Sequence, residues 1–164
     1  MRFFKSFKYA FRGIVYCINN ERNMRIHTAA ALYVFAFSHF FEITRTGYAV
    51  LLLTFALVMA AEMFNTVAEE ITDMIAASYH PVARIIKDLA AGGVLVCALF
   101  AVGVGICLFW QPESFLRILR FFIDRPWRIA VFLASLIAAA LYVIQGPIGI
   151  RDFCMRKKNE NKEK

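Results

Sequence analysis

Apolar positions along this chain fall into two patterns, helical stripes and unbroken runs. Near the start Phe3 or Phe4, Phe7, Phe11, Ile14 and Ile18 recur at helical spacing, with Lys5, Lys8 and Arg12 on other faces. That pattern predicts an amphipathic helix lying in a headgroup plane. Four unbroken runs follow, roughly 26–41, 48–66, 89–110 and 127–145, against the about 17–25 residues that cross a bilayer. The first is short and carries His27 and His39, and the second holds one charge, Glu62. The third is charge-free, and the fourth has Arg128 at its entrance and Tyr142 near its exit. Between the last two, Phe115, Leu119 and Phe122 line one helical face and Arg117, Arg120 and Asp124 another, which predicts an interfacial helix. Pro81 marks a helix boundary through its fixed φ and missing donor. Residues 156–164 are charged and poor in apolar side chains, so a disordered tail is expected. The predicted fold class is an all-α integral membrane protein, with an N-terminal amphipathic helix, three spans and a fourth C-terminal transmembrane helix.

Composition strengthens the membrane reading. Of 164 residues 60% are hydrophobic and 17 are Phe, against about 45–50% apolar residues in a soluble domain. The net charge of +7 comes from basic residues at chain ends and loops beside the apolar runs, which suits anionic lipid and topology rather than nucleic acid. With four spans, the side shared with the N-terminus holds six Lys or Arg before residue 26, two at Arg84 and Lys87, and six after Gln145, fourteen in all against five opposite. The positive-inside rule then puts both termini in the cytoplasm of a multi-pass protein of the cell (inner) membrane. A cleaved signal peptide is not expected, because the first run starts late and no small-residue cleavage site follows it. Cys17, Cys97, Cys107 and Cys154 form no C-x-x-C pair, and the three histidines do not cluster, so neither a disulfide framework nor a transition-metal site is predicted.

The chemistry concentrates in residues 61–73. Glu62, Asn65, Glu69 and Asp73 are spaced three, four and four apart, one polar stripe about 16 Å long on a helix at 1.5 Å per residue. The stripe begins inside a span, where an ionised carboxylate costs roughly 2.5–3.5 kcal/mol even on lenient scales. A single such Glu often serves as a neutral packing contact, but four polar groups in register point to a site. Beyond it come Ser78-Tyr79-His80-Pro81 and then Lys87-Asp88. Lys87 near a helix start suits phosphate oxygens, although alone it reads equally as a topology-setting cation. Glu21, together with Glu69, supplies the hard oxygen ligands that Mg²⁺ prefers when nucleotide phosphates complete its shell. Glycine-rich phosphate loops and protein-kinase motifs are missing. An ion pathway using intramembrane carboxylates would call for polar residues on several spans, and the third and fourth have almost none. The residues by themselves therefore reach a membrane protein with an acidic, metal-binding cytoplasmic face.

At these positions the chain resembles the small prokaryotic diacylglycerol/undecaprenol kinase family. The pattern E-x-x-N-[ST]-x-x-E-x-x-x-D, then Tyr-His, then Lys-Asp before a span, appears as Glu62, Asn65, Thr66, Glu69, Asp73, Tyr79, His80, Lys87 and Asp88. Phe4-Lys5-Ser6-Phe7 and residues 9–13 match the family's amphipathic helix, and Asn20-Glu21-Arg22-Asn23 with His27 looks like its Gram-positive-type undecaprenol kinase branch. The resemblance covers residues 1–110, the expected kinase core; 111–150, an interfacial segment and fourth span, and the tail 151–164 lie outside it. It implies a homotrimer acting on a membrane lipid alcohol, undecaprenol before diacylglycerol, with ATP as co-substrate and Mg²⁺ as cofactor. By the same resemblance Glu62 is the general base, and Glu21 and Glu69 hold the metal. Arg2, Tyr9, Arg12, Ser78, Tyr79, His80, Lys87 and Asp88 surround the nucleotide, while Asn65 and Asp73 support the site by hydrogen bonding. The fourth span bears no carboxylate that could join this set, and is expected to be an accessory.

Overall fold

The computed structural model describes residues 2–75 and 80–160, all helix apart from short connections. Among these residues six helices run α1 (Arg2–Asn20), α2 (Arg22–Ser38), α3 (Arg45–Ile75), α4 (Pro81–Phe109), α5 (Pro112–Ile123) and α6 (Trp127–Glu160). No strand occurs among the described residues. The protein is an all-α membrane protein, as its apolar runs predict.

Proline and capping chemistry set the helix boundaries. Pro81 and Pro112 open α4 and α5, where a missing N–H is harmless. His80 precedes α4 with extended backbone (φ −129°, ψ 123°), and its side chain accepts from the Val82 amide, as an N-cap does. In α6 the backbone breaks at Gly146 (φ 69°) immediately before Pro147. Helix then continues to Glu160, across much of the segment whose charge pointed to disorder. Arg, Lys and Glu are good helix formers, so the same charge that removes a core does not prevent a helix.

Among the described residues three helices are long and apolar enough to cross a membrane: α3, α4 and residues Trp127–Gly149 of α6. The first apolar run falls short of that measure, because α2 has 17 residues and so rises only about 25 Å. The cause is local. The Ser38 hydroxyl turns back to the Phe35 carbonyl at 2.6 Å, and Phe40 and Phe41 close i→i+3 turns on Phe37 and Ser38. α3, with 31 residues, rises about 46 Å and outruns a hydrocarbon core of about 30 Å. Its polar end therefore projects into water.

The chain forms two compact units, residues 1–29 with 125–164, and residues 30–124. In the second, α3 packs along α4. Gly47 permits close approach at one end of this pair: a Cβ there would lie 3.3 Å from Leu108 Cδ2 on α4 and 2.7 Å from Ile43 Cγ2. At the same end the Gln111 side chain accepts from the Glu42 amide (3.0 Å) and donates to the Leu108 carbonyl (3.0 Å). Arg117 of α5 bonds Glu42 Oε1 (3.0 Å) and the buried Ser114 hydroxyl (2.7 Å). Phe41 packs edge-on against Phe109 and Phe115. α5 is the amphipathic helix its spacing predicts, held by Arg117 on its polar face. Cys17, Cys97 and Cys107 form no disulfide among the described residues.

Candidate active site

The buried face of α3 is made by Leu51, Val58, Glu62, Asn65, Thr66 and Thr72, spacings that keep one side of a helix. It is apolar for two turns and then becomes polar without leaving the stripe. Glu62 is 1% exposed, and the Thr66 hydroxyl donates to its main-chain carbonyl at 2.9 Å. Thr72 likewise bonds back to the Ala68 and Glu69 carbonyls at 2.9 Å each. Such back-bonds satisfy a hydroxyl inside an apolar helix face without drawing on a neighbour.

Asn65 links the inner and outer parts of the stripe. Its Nδ2 donates to Glu69 Oε1 at 2.9 Å, while its buried Oδ1 has no hydrogen-bond partner among the described residues. A buried amide oxygen left open beside a half-buried carboxylate is a pair of hard oxygen donors. These groups fit Mg²⁺, which takes a few protein oxygens and leaves its other positions to phosphate and water. Among the described residues no three His, Cys, Asp or Glu side chains form a ready-made metal cage. Glu21, the other predicted ligand, sits at the single non-helical residue between α1 and α2.

Further along, Asp73 forms an ion pair with Lys87 across from α3 to α4. The pair is partly exposed, so it orients the two groups more than it stabilises the fold. Asp88 lies 3.8 Å from Arg84 one turn back on α4. His80 uses Nδ1 to accept from the Val82 amide at 3.3 Å, so a neutral ring carries its proton on Nε2 and presents a donor outward. His80 thus caps α4, and Lys87 and Asp88 lie in its first turns, beside the outer end of the acidic stripe. Between α3 and α4 lies a cavity of about 700 Å³ whose lining includes Phe64, Ala68, Ile71, Ile75 and Ile86. No motif marks it in the sequence. Its only signal there was the apolar 64/68/71/75 spacing, which reads equally as a lipid-facing stripe.

On α1, Tyr9 and Arg12 are exposed, with the Arg12 guanidinium 5.8 Å from the Tyr9 ring centroid, a cation–π approach. Arg2 is the first residue of α1. Ser78 and Tyr79 lie outside the described residues. Arg25, Glu42 and Gln111, each tied into local networks, were not singled out from sequence. Their partners are main-chain groups and loop residues that spacing cannot reveal.

Residues 8–109 match the prokaryotic diacylglycerol kinase family. The chain is 43% identical over 108 residues to a diacylglycerol kinase from Synechocystis, covering 65% of this chain and 62% of that protein. It is 36% identical over 108 residues to the undecaprenol kinase of Bacillus subtilis, covering 66% of this chain and 88% of the relative. A diacylglycerol kinase of Escherichia coli is 26% identical over 110 residues, covering 67% and 90% of the two chains. The chain therefore spans less than two thirds of the Synechocystis relative and most of the other two. All of the stripe, with Lys87 and Asp88, lies inside the matched residues, and α5 and α6 lie beyond them. With nearly two thirds of its length matched, and the acidic stripe, Lys87 and Asp88 inside the match, the chain belongs to the prokaryotic diacylglycerol kinase family, a family of lipid kinases.

Proposed function

We propose that the protein transfers the γ-phosphoryl group of ATP to a membrane lipid alcohol, with undecaprenol as the preferred acceptor. The observation that carries this reading is the register of Glu62, Asn65 and Glu69 on one face of α3. The inner carboxylate is buried where the apolar part of α3 ends, and the outer one is half-buried two turns nearer the polar end of the helix. Phosphoryl transfer asks for positioning and charge neutralisation more than covalent catalysis. In the proposed reaction Glu62 accepts the lipid hydroxyl proton as that oxygen bonds to the γ-phosphorus, and the bond from phosphorus to the ADP oxygen breaks. By the family resemblance Glu69 and Glu21 would hold Mg²⁺, which would neutralise phosphate charge. Asn65 holds the Glu69 carboxylate in place. Lys87 with Asp73, His80, Asp88, Tyr9 and Arg12, together with Arg2, Ser78 and Tyr79, form the nucleotide surround that the family resemblance implies. The same resemblance supports a homotrimer.

Undecaprenol is favoured by Glu21-Arg22-Asn23 with His27 and by the likeness to the Bacillus subtilis undecaprenol kinase. The higher identity to the Synechocystis diacylglycerol kinase favours diacylglycerol as the second reading. Transfer of radiolabelled phosphate from ATP in matched mixed micelles separates them. Undecaprenol is expected to be phosphorylated faster; a clear preference for diacylglycerol overturns the acceptor, and no transfer to either overturns the kinase.

Both termini are proposed to be cytoplasmic in the cell membrane, with the first apolar run completing a fourth crossing beyond the short α2. The fourteen-to-five division of Lys and Arg supports this. In a variant whose native cysteines are replaced, a cysteine at position 160 should react with an impermeant maleimide only after the cells are opened. Labelling in intact cells would put the C-terminus outside.

A further inference from the structure

α6 lies beyond the matched residues, yet the side chains of Arg25 and Thr28, both in the matched part, bond to it. Arg25 is 7% exposed. Its Nε donates to the Val143 carbonyl at 3.0 Å, and its Nη1 donates to the Asn19 and Ile18 carbonyls at 2.9 and 3.2 Å. One turn further on, the hydroxyls of Thr28 and Tyr142 are 3.0 Å apart and hydrogen-bonded.

The sequence explains why each of these carbonyls is available. Residue 147 is proline, which has no N–H, so the carbonyl four positions before it, at Val143, loses its helical donor. Ile18 and Asn19 lie in the last turn of α1, where carbonyls also lack helical donors. A guanidinium carries five donors on a rigid fork and can serve both helix ends at once. Its positive charge is also favourable where helix dipoles end. Gly146 is needed twice over. Its φ of 69° is a left-handed conformation, and a Cβ there would sit 3.2 Å from Arg25 Nη1 and 3.4 Å from its Cζ.

Glu21 stands inside this arrangement. Its amide donates to the Cys17 carbonyl at 2.8 Å, and its carbonyl accepts from the Arg25 amide at 3.3 Å. The backbone of Arg25 therefore holds one side of the elbow at Glu21, and its side chain holds the α1 end on the other.

We infer that Arg25, Gly146 and Pro147 form a lock by which the C-terminal helix fixes the α1–α2 elbow and so positions the Glu21 carboxylate. Arg25 is a positioning residue, and α6 serves the site through one backbone carbonyl while contributing no reacting group. The inference rests on the proposed role of Glu21 as a Mg²⁺ ligand.

The test uses the full chain in mixed micelles, with Arg25→Gln, Arg25→Lys and Pro147→Ala, and with Glu21→Gln as the control. Turnover, KM for Mg·ATP, Mg²⁺ requirement and amide exchange over residues 18–25 are measured together. Arg25→Gln should raise KM and the Mg²⁺ requirement about tenfold, the scale of one charge-assisted hydrogen bond, with kcat at saturating Mg·ATP little changed and elbow exchange faster. Arg25→Lys should recover part of the loss. Pro147→Ala, a milder change that gives Val143 a competing N–H, should move the same readouts less far. If Glu21→Gln shifts the Mg²⁺ requirement but Arg25→Gln and Pro147→Ala do not, the lock is overturned and the metal reading stands. If Glu21→Gln shifts nothing, the metal reading fails and positioning fails with it; unchanged exchange in Arg25→Gln would then remove the lock as well.

Discussion

Replacing Glu62 with glutamine should lower turnover by about two to four orders of magnitude, the usual worth of a general base, while KM for Mg·ATP stays near its starting value. The substitution is informative because so little else changes. Glu62 is almost fully buried, and glutamine has nearly the same volume, so neither a cavity nor a clash arises in the face that α3 buries. The Thr66 hydroxyl bonds the main-chain carbonyl of residue 62 rather than its side chain, so the local helix keeps that contact. The Asn65–Glu69 bond one turn outward is also untouched, and with it the groups proposed to meet the metal. What disappears is the capacity to accept a proton at the depth where a lipid hydroxyl arrives. Steady-state kinetics with lipid and Mg·ATP varied separately decide the matter. Undiminished turnover in a folded variant would remove Glu62 from the reaction, and a raised KM for Mg·ATP with normal turnover would move it to the nucleotide.

How much of this was legible in the sequence depended on whether the signal was local. The amphipathic α1, the interfacial α5 and the boundary at Pro81 follow from spacing within a turn or two, and each appears where the residues predict. The polar stripe was legible for the same reason. Glu62, Asn65, Glu69 and Asp73 share a helix, so 3.6-residue periodicity alone aligns them. The end of α2 was less clear. Apolar residues continue to Phe41, but the helix stops at Ser38, because a serine hydroxyl and two i→i+3 turns compete with the next helical bonds. Least legible were contacts between distant parts of the chain. Arg25 reads as one more topology-setting cation until Val143, 118 positions away, is seen to accept its hydrogen bond. Pro147, which frees that carbonyl, lies just past the fourth apolar run and belongs to no motif. Glu42 and Gln111, 69 positions apart, carry no motif at all.

Replacing Glu69 with glutamine should produce a loss of a different kind, rescued by metal. Glu69 lies seven positions beyond Glu62, about 10 Å along the helix axis at 1.5 Å per residue, near the end of α3 that outruns the hydrocarbon. Its Oε1 is held by Asn65 Nδ2 at 2.9 Å. Glutamine can keep an oxygen in that contact, so the geometry survives while the anionic charge goes. Mg²⁺ selects hard, charged oxygens and tolerates few protein ligands, so removing one should raise the Mg²⁺ needed for half-maximal activity by about 10–100-fold, the range seen when groups supporting a metal are lost. Excess Mg²⁺ should then restore much of the turnover, which it cannot do for Glu62→Gln, where the missing function is a base. Asn65→Ala should raise the requirement in the same direction, because the Glu69 carboxylate loses its tether and the open Oδ1 is lost with it. Combined with Glu69→Gln, it should add less than the sum of the two, as residues in contact do. A metal titration of the three variants against the unmodified protein reads all of this at once. If Glu62→Gln and Glu69→Gln prove interchangeable in turnover and in metal dependence, the division of labour along α3 is wrong; if neither affects phosphoryl transfer in folded protein, the stripe is not the site.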